Sequence, residues 1–319
     1  MQYSGRNFSH TDFVLNGFSE LAEWRPFLFF PFFIMFLISL AANSCLLFII
    51  ISQKSLHKPM FILMGLMSGV LVIQPVLFVP NMLLNFLFNL RRISLVGCFV
   101  QMFCIHFISS FQSTILMWMA LDRYFAICTP LHYHKYMSVL SFQKFVVAPV
   151  LRNIIMITLP ISLAGKLSYC RSNVLEHCFC ECMAVVQLSC GDTTVNNVVG
   201  LLALFSIPAT DFLFITTSYV IIFVTVYKSG TLNVKVLNTC LTHIIVMSVS
   251  LTFALLAFLS YRIRNNISLS GRAFFSTMYL LFPSCFNPII YGIRTKEIRV
   301  HLHKLVTCKN IFSCFVKMK

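Results

Sequence analysis

Residues 119–128 read MALDRYFAIC. They end a run, 93–121, that contains no charged residue, and then place Asp122 directly beside Arg123. A bilayer core asks for about 20 apolar residues per helix, so the run is long enough to cross one. Six further stretches share its character. Residues 26–51, 59–90, 236–261 and 273–293 carry no charge, 145–165 carries only Arg152, and 193–227 carries only Asp211. Charged residues make up 10% of the 319-residue chain and hydrophobic residues 58%. A soluble domain holds about 25% charged residues. Seven such segments predict an all-α membrane protein, because lipid offers no partner to an open sheet. The layout expected is a terminal segment 1–25, a seven-helix domain 26–293 and a tail 294–319.

The net charge of +15 is distributed by side of the membrane. With the N-terminus outside, fourteen Lys and Arg fall inside and nine outside, whereas two acids fall inside and six outside. This bias follows the positive-inside rule and places the basic tail in the cytoplasm. It also excludes a nucleic-acid partner, since the charge is spread over loops and the lipid bilayer is the implied partner. Asn7 and Asn266 head Asn-x-Ser sequons on the outer side, and the N-terminal residues lack the apolar core of a cleavable signal. Residues 294–305, RTKEIRVHLHKL, alternate bases with Ile298, Val300, Leu302 and Leu305 and predict an amphipathic helix on the inner leaflet. Cys308 and Cys314 follow as candidate palmitoylation sites.

Of thirteen cysteines, five crowd one outer loop: Cys170, Cys178, Cys180, Cys182 and Cys190. Cys98 opens the third segment on the same side. HCFCEC (177–182) lacks the paired C-x2-C spacing of structural zinc, so disulfides are expected and no metal or other cofactor. From Cys98 to Arg123 a helix is about 37 Å long, more than the roughly 30 Å of hydrocarbon. One end can be stapled outside while the Asp-Arg pair reaches the inner water boundary.

The chain here resembles rhodopsin-like G-protein-coupled receptors, and within them the odorant receptors. The resemblance rests on an ordered set: LHKPMF (56–61), GCFVQMF (97–103), MALDRYFAICTPLHY (119–133), SY (218–219), KVLNTCLTH (235–243) and NPIIYGIRTKE (287–297). LSCGDTTVNNVVG (188–200) looks most like the fish-type members. The resemblance implies a G-protein switch built of Asp122, Arg123, Tyr124, Tyr219, Asn287, Pro288 and Tyr291. Asp122 holds Arg123 at rest, and activation turns Arg123 toward a heterotrimeric G-protein of the stimulatory, cyclic-AMP-raising type. It also implies the pairs Cys98–Cys180 and Cys170–Cys190; Cys178 and Cys182 flank Cys180 and could compete for Cys98. The chain departs from the family pattern at Leu71 (usually Asp), Val150 (usually Trp) and Leu251 (usually aromatic). Leu71 puts a sodium site in doubt.

A ligand pocket is expected among the third, fifth, sixth and seventh segments. His106, Ser109, Ser110 and Ser113 recur at helical spacing on the third. Ala203, Leu204, Ile207, Leu255, Phe258 and Thr277 stand opposite. This set suits a small, largely apolar odorant, and no acid between Cys98 and Leu121 could pair with an amine. A lone His106 without a carboxylate does not make an enzyme. A non-olfactory receptor for a lipid or peptide is the alternative within the superfamily. A transporter or channel is the alternative outside it, but two similar halves are missing. Arg152 and Asp211 are costly at mid-membrane and are expected to pair, unless Arg152 snorkels and Asp211 is protonated.

Overall fold

The structure is a computed structural model, and it describes residues 10–307 apart from Ala22, Arg171, 230–233 and 263–266. Seven long helices are present among the described residues. They are the first span Arg25–Ser52, the second in two pieces (Pro59–Val76 and Val79–Phe88), the third Leu95–Cys128, the fourth Val139–Gly165, the fifth Thr194–Lys228, the sixth Val234–Arg262 and the seventh Leu269–Arg294. A further helix, Lys296–Thr307, follows the seventh. Six are long and apolar enough to cross a membrane, and the sixth span carries the apolar stretch Ile244–Ala257. This is a multi-pass helical membrane protein. The third span is the hub, packed against the second, fourth and fifth, while the seventh packs between the sixth and the first.

The second segment is not the single helix its apolar run suggested. Pro80 has no N–H to give the Val76 carbonyl, and its ring crowds that carbonyl. The chain tightens there: Leu77 N donates to Gln74 O and Phe78 N to Pro75 O, both at 3.3 Å, before helix resumes. Asn89 closes the second piece in the left-handed conformation (φ 54°), which Asn tolerates better than most residues.

At the Cys98 end the N-terminal segment forms a lid. Strand β1 (Asp12–Leu15) lies between β2 (Arg92–Ser94), antiparallel, and β3 (Val174–Leu175), parallel. Phe13 and Leu15 are buried and alternate with more exposed Asp12 and Val14, the two-residue period of a strand with one covered face. Phe13 meets Tyr169 edge to face at 5.4 Å. Buried Arg25 donates to Asn85 Oδ1 at 2.9 Å, and Asn85 Nδ2 donates to Leu15 O at 2.9 Å. Gly17 has to be glycine, because a Cβ there would meet Cys178 Sγ and lie 2.8 Å from the Cys178 backbone nitrogen.

Glu20 ties this lid to the seventh span. Its carboxylate accepts from Ser270 N at 3.0 Å and Leu269 N at 3.3 Å, the free donors of a helix start. The Ser270 backbone bond, the largest influence, holds Glu20 below its ordinary value of 4.5. A depressed acid contributes its tie above the unfolded value and loses it as pH falls through the folded one. We expect Glu20→Ala to speed amide exchange at Leu269 and Ser270 at pH 7. The parent should lose the same protection, relative to intrinsic exchange rates, only below pH 4.5. Exchange measured by mass spectrometry checks this; identical rates in parent and variant at pH 7 would remove the tie.

Candidate functional site

One constellation sits around the stretch that ends the third span. Asp122 is 2% exposed, and its Oδ1 accepts from the Tyr133 hydroxyl at 2.7 Å. Burial first, then this bond, pushes the Tyr133 phenol above its ordinary range, so it stays protonated and keeps donating. The expected Asp122–Arg123 pair is therefore corrected: among the described residues Arg152–Asp211 is the ion pair present, and Asp122 is occupied by the loop. Arg123 is half-buried, and its Nε has no hydrogen-bond partner among the described residues. Neighbours along a helix point about 100° apart, so Asp122 and Arg123 face different ways.

Tyr219 and Tyr291, from the fifth and seventh spans, are buried in one apolar cluster with Ile115, Met119 and Ile298; Tyr124 packs against it. Asn287 and Pro288 are buried in the seventh span, and Asn287 Nδ2 has no partner among the described residues. Tyr124, Tyr219 and Tyr291 are thus brought together, and Ile298, Leu302 and Leu305 of the final helix join the same cluster.

Toward the lid the four polar residues of the third span do not converge. Ser109 accepts from Gln74 Nε2 at 3.0 Å and donates to Ile105 O at 2.8 Å. Ser110 donates to Phe107 O and Ser113 to Asp211 Oδ2, each at 2.8 Å. His106 alone of the four keeps an uncommitted atom, its buried Nε2. Ala203 and Ile207 are buried on the fifth span; Thr277 is buried and donates to Ala273 O at 2.7 Å. Leu255 is 42% exposed, on the stripe shared by Leu241, Ile245 and Leu259. The side chains of Leu204 and Phe258 and the sequons at Asn7 and Asn266 lie outside the described residues, as do Cys308 and Cys314.

Between the two ends lies a polar cluster inside the membrane layer. Arg152 Nη2 is 2.7 Å from Asp211 Oδ1, with the Asp211 side chain 1% exposed. The guanidinium also donates to Thr210 Oγ1 at 2.6 Å and to Asn153 Oδ1 at 3.0 Å, and Asn153 Nδ2 donates to Thr114 Oγ1 at 2.9 Å. The third, fourth and fifth spans are joined here through charge-assisted bonds, the stronger kind. Sequence reasoning found the pair but not Thr114, Asn153 or Thr210. It also passed over Gln74 and Gln101, which stand out as amides within apolar runs.

The disulfides lie at the lid. Cys98–Cys180 and Cys170–Cys190 have Cα separations of 5.4 and 5.8 Å, within the range a bridge needs. Cys178 and Cys182 are free thiols, and burial raises each to about 12.

Comparison with known proteins agrees with this arrangement. Residues 32–309 match the family described as olfactory receptor. Olfactory receptor 52K1 of Homo sapiens is 35% identical over 301 residues, covering 94% of this chain and 96% of that one. Olfactory receptor 52A5 of Homo sapiens is 36% identical over 312 residues, covering 97% and 99%. Olfactory receptor 51E1 of Homo sapiens is 34% identical over 304 residues, covering 95% of each. With a matching family profile over most of its length and relatives 34–36% identical along nearly the whole chain, the chain belongs to the olfactory receptor family.

Proposed function

We propose that the protein is an odorant receptor of the plasma membrane, with residues 1–25 and the lid outside and 294–319 in the cytoplasm. It binds a small, largely apolar organic molecule between the lid and the Arg152 cluster. It then activates a heterotrimeric G-protein of the stimulatory, cyclic-AMP-raising type. The observation that carries this reading is the inner constellation: Arg123 with a free Nε, Tyr219 and Tyr291 in one cluster, and Asp122 held by the loop. When the sixth span moves away, Arg123 is the cation available to a partner's helix, and a ligand that favours that state supplies the bias. Membership of the olfactory receptor family carries no enzymatic activity.

His106 supports the ligand half. A buried ring nitrogen without a partner is costly, and a ligand carbonyl or hydroxyl would satisfy it. Ala203 and Ile207 offer apolar surface and no charge. The test is a panel of small alcohols, acids, aldehydes and ketones applied to cells expressing the receptor, with cyclic AMP and membrane current read together. A ligand-dependent rise in cyclic AMP preceding any current is expected. A current that appears without second messenger would favour the channel instead.

A further inference from the structure

Gln101, within the GCFVQMF stretch, serves neither the switch nor the ion-pair cluster. It is 8% exposed, and its amide is used at both ends. Nε2 donates to Leu77 O at 2.9 Å, and Oε1 accepts from Cys180 N at 3.0 Å. Leu77 lies between the two helical pieces of the second span. Cys180 is the lid cysteine bridged to Cys98 on the third span. One side chain therefore joins the break in the second span to the lid, beside the covalent staple.

What the latch holds in place is apolar. Phe179, next to Cys180, packs on Phe78 at the break, with ring centroids 5.1 Å apart. His177 packs edge to face on Phe179 at 4.3 Å. Cys178 and Phe179 share a buried cluster with Phe18, Phe32 and Phe86 and with Ala273 and Met278 of the seventh span. The disulfide alone would leave this segment free to pivot about Cys180. A second fixed point at the Cys180 N–H removes that freedom, and the same amide satisfies a carbonyl that sits between helices.

We infer that Gln101 is a positioning residue: it latches the lid segment 177–180 onto the break of the second span and keeps Phe179 seated against Phe78. An amide is needed because the site asks one planar group to donate on one side and accept on the other. The consequence for ligand entry, that the latch sets how readily the mouth opens, rests on the receptor reading above. The latch itself does not.

Cys178 reports on the latch without any ligand. It is 2% exposed beneath the lid, while Cys285, 3% exposed, lies within the seventh span and reports on the bundle. The purified receptor in lipid nanodiscs is treated with N-ethylmaleimide, and labelling is followed peptide by peptide. In Gln101→Met, which loses both amide bonds, Cys178 should label at least about tenfold faster than in the parent, the factor a single buried hydrogen bond can give, with Cys285 unchanged. Gln101→Glu keeps an acceptor for the Cys180 N–H but loses the donation to Leu77 O, so its Cys178 should label faster than in the parent and more slowly than in Gln101→Met. A parent rate at Cys178 in Gln101→Met would overturn the inference. So would Cys178 and Cys285 accelerating together in both variants. Neither result would touch the cyclic-AMP assay on which the receptor reading stands.

Discussion

Asp211→Ala is expected to remove most of the receptor from the cell surface. Arg152 would keep its bonds to Thr210 and Asn153 but lose the only acid within reach among the described residues. Leaving one partner of a buried ion pair unpaired costs about 3–5 kcal/mol, against a total stability of roughly 5–15 kcal/mol. Arg152→Ala should be milder, since the Asp211 carboxylate can take a proton, become uncharged and still accept from Ser113. Replacing both, Arg152→Met with Asp211→Leu, should restore much of the surface level, because apolar side chains of similar size often substitute for a buried pair without loss. Flow cytometry of unpermeabilised cells carrying an N-terminal epitope gives the three levels. A double variant no better than Asp211→Ala would mean that the two charges act separately.

Loss of the staple between the lid and the third span should be the other large effect. Cys98–Cys180 closes a separation of 82 residues and Cys170–Cys190 one of 20. In the chain-entropy treatment these are worth about 4–5 and about 3 kcal/mol. The double variant Cys98→Ser with Cys180→Ser leaves no odd thiol to pair with Cys178 or Cys182. It should lower the melting temperature of the purified receptor by roughly 5–10 °C, and the Cys170–Cys190 counterpart by less. Non-reducing peptide maps of the parent should join the Cys98 peptide to Cys180. A Cys98 peptide joined to Cys178 or Cys182 would contradict the bridge, and equal melting losses would contradict its larger share.

The membrane class and the bundle were legible because lipid imposes a one-dimensional requirement, about 20 apolar residues at a time, which a linear sequence displays directly. The DRY stretch was legible for the same reason: a charged pair at the end of an apolar run is visible without knowing the fold. What sequence could not show depends on which helix faces which. Asp122 and Arg123 are adjacent in the chain, yet Asp122 goes to Tyr133 in the loop. Ser109 and Ser113 are one turn apart, yet one serves the second span and the other the fifth. Thr114 and Thr210 read as ordinary helical residues, since both also bond back to their own helix. The break at Leu77 had a signal in Pro75 and Pro80, but the unbroken apolar run masked it. The strand β1 is four residues long and is held by segments distant in sequence, so no local pattern could have announced its partners. Gly17 owes its identity to Cys178 pressing against it.

The most direct measurement compares the receptor with Arg123→Ala in the cyclic-AMP assay, using whichever odorant of the panel activates the parent and matching surface level by epitope staining. Arg123 makes no ion pair among the described residues and is half-buried at the end of the bundle, so its removal should leave expression near the parent level. The account predicts that the odorant response disappears while the surface level stays. A variant that reaches the surface and signals as strongly as the parent would contradict it.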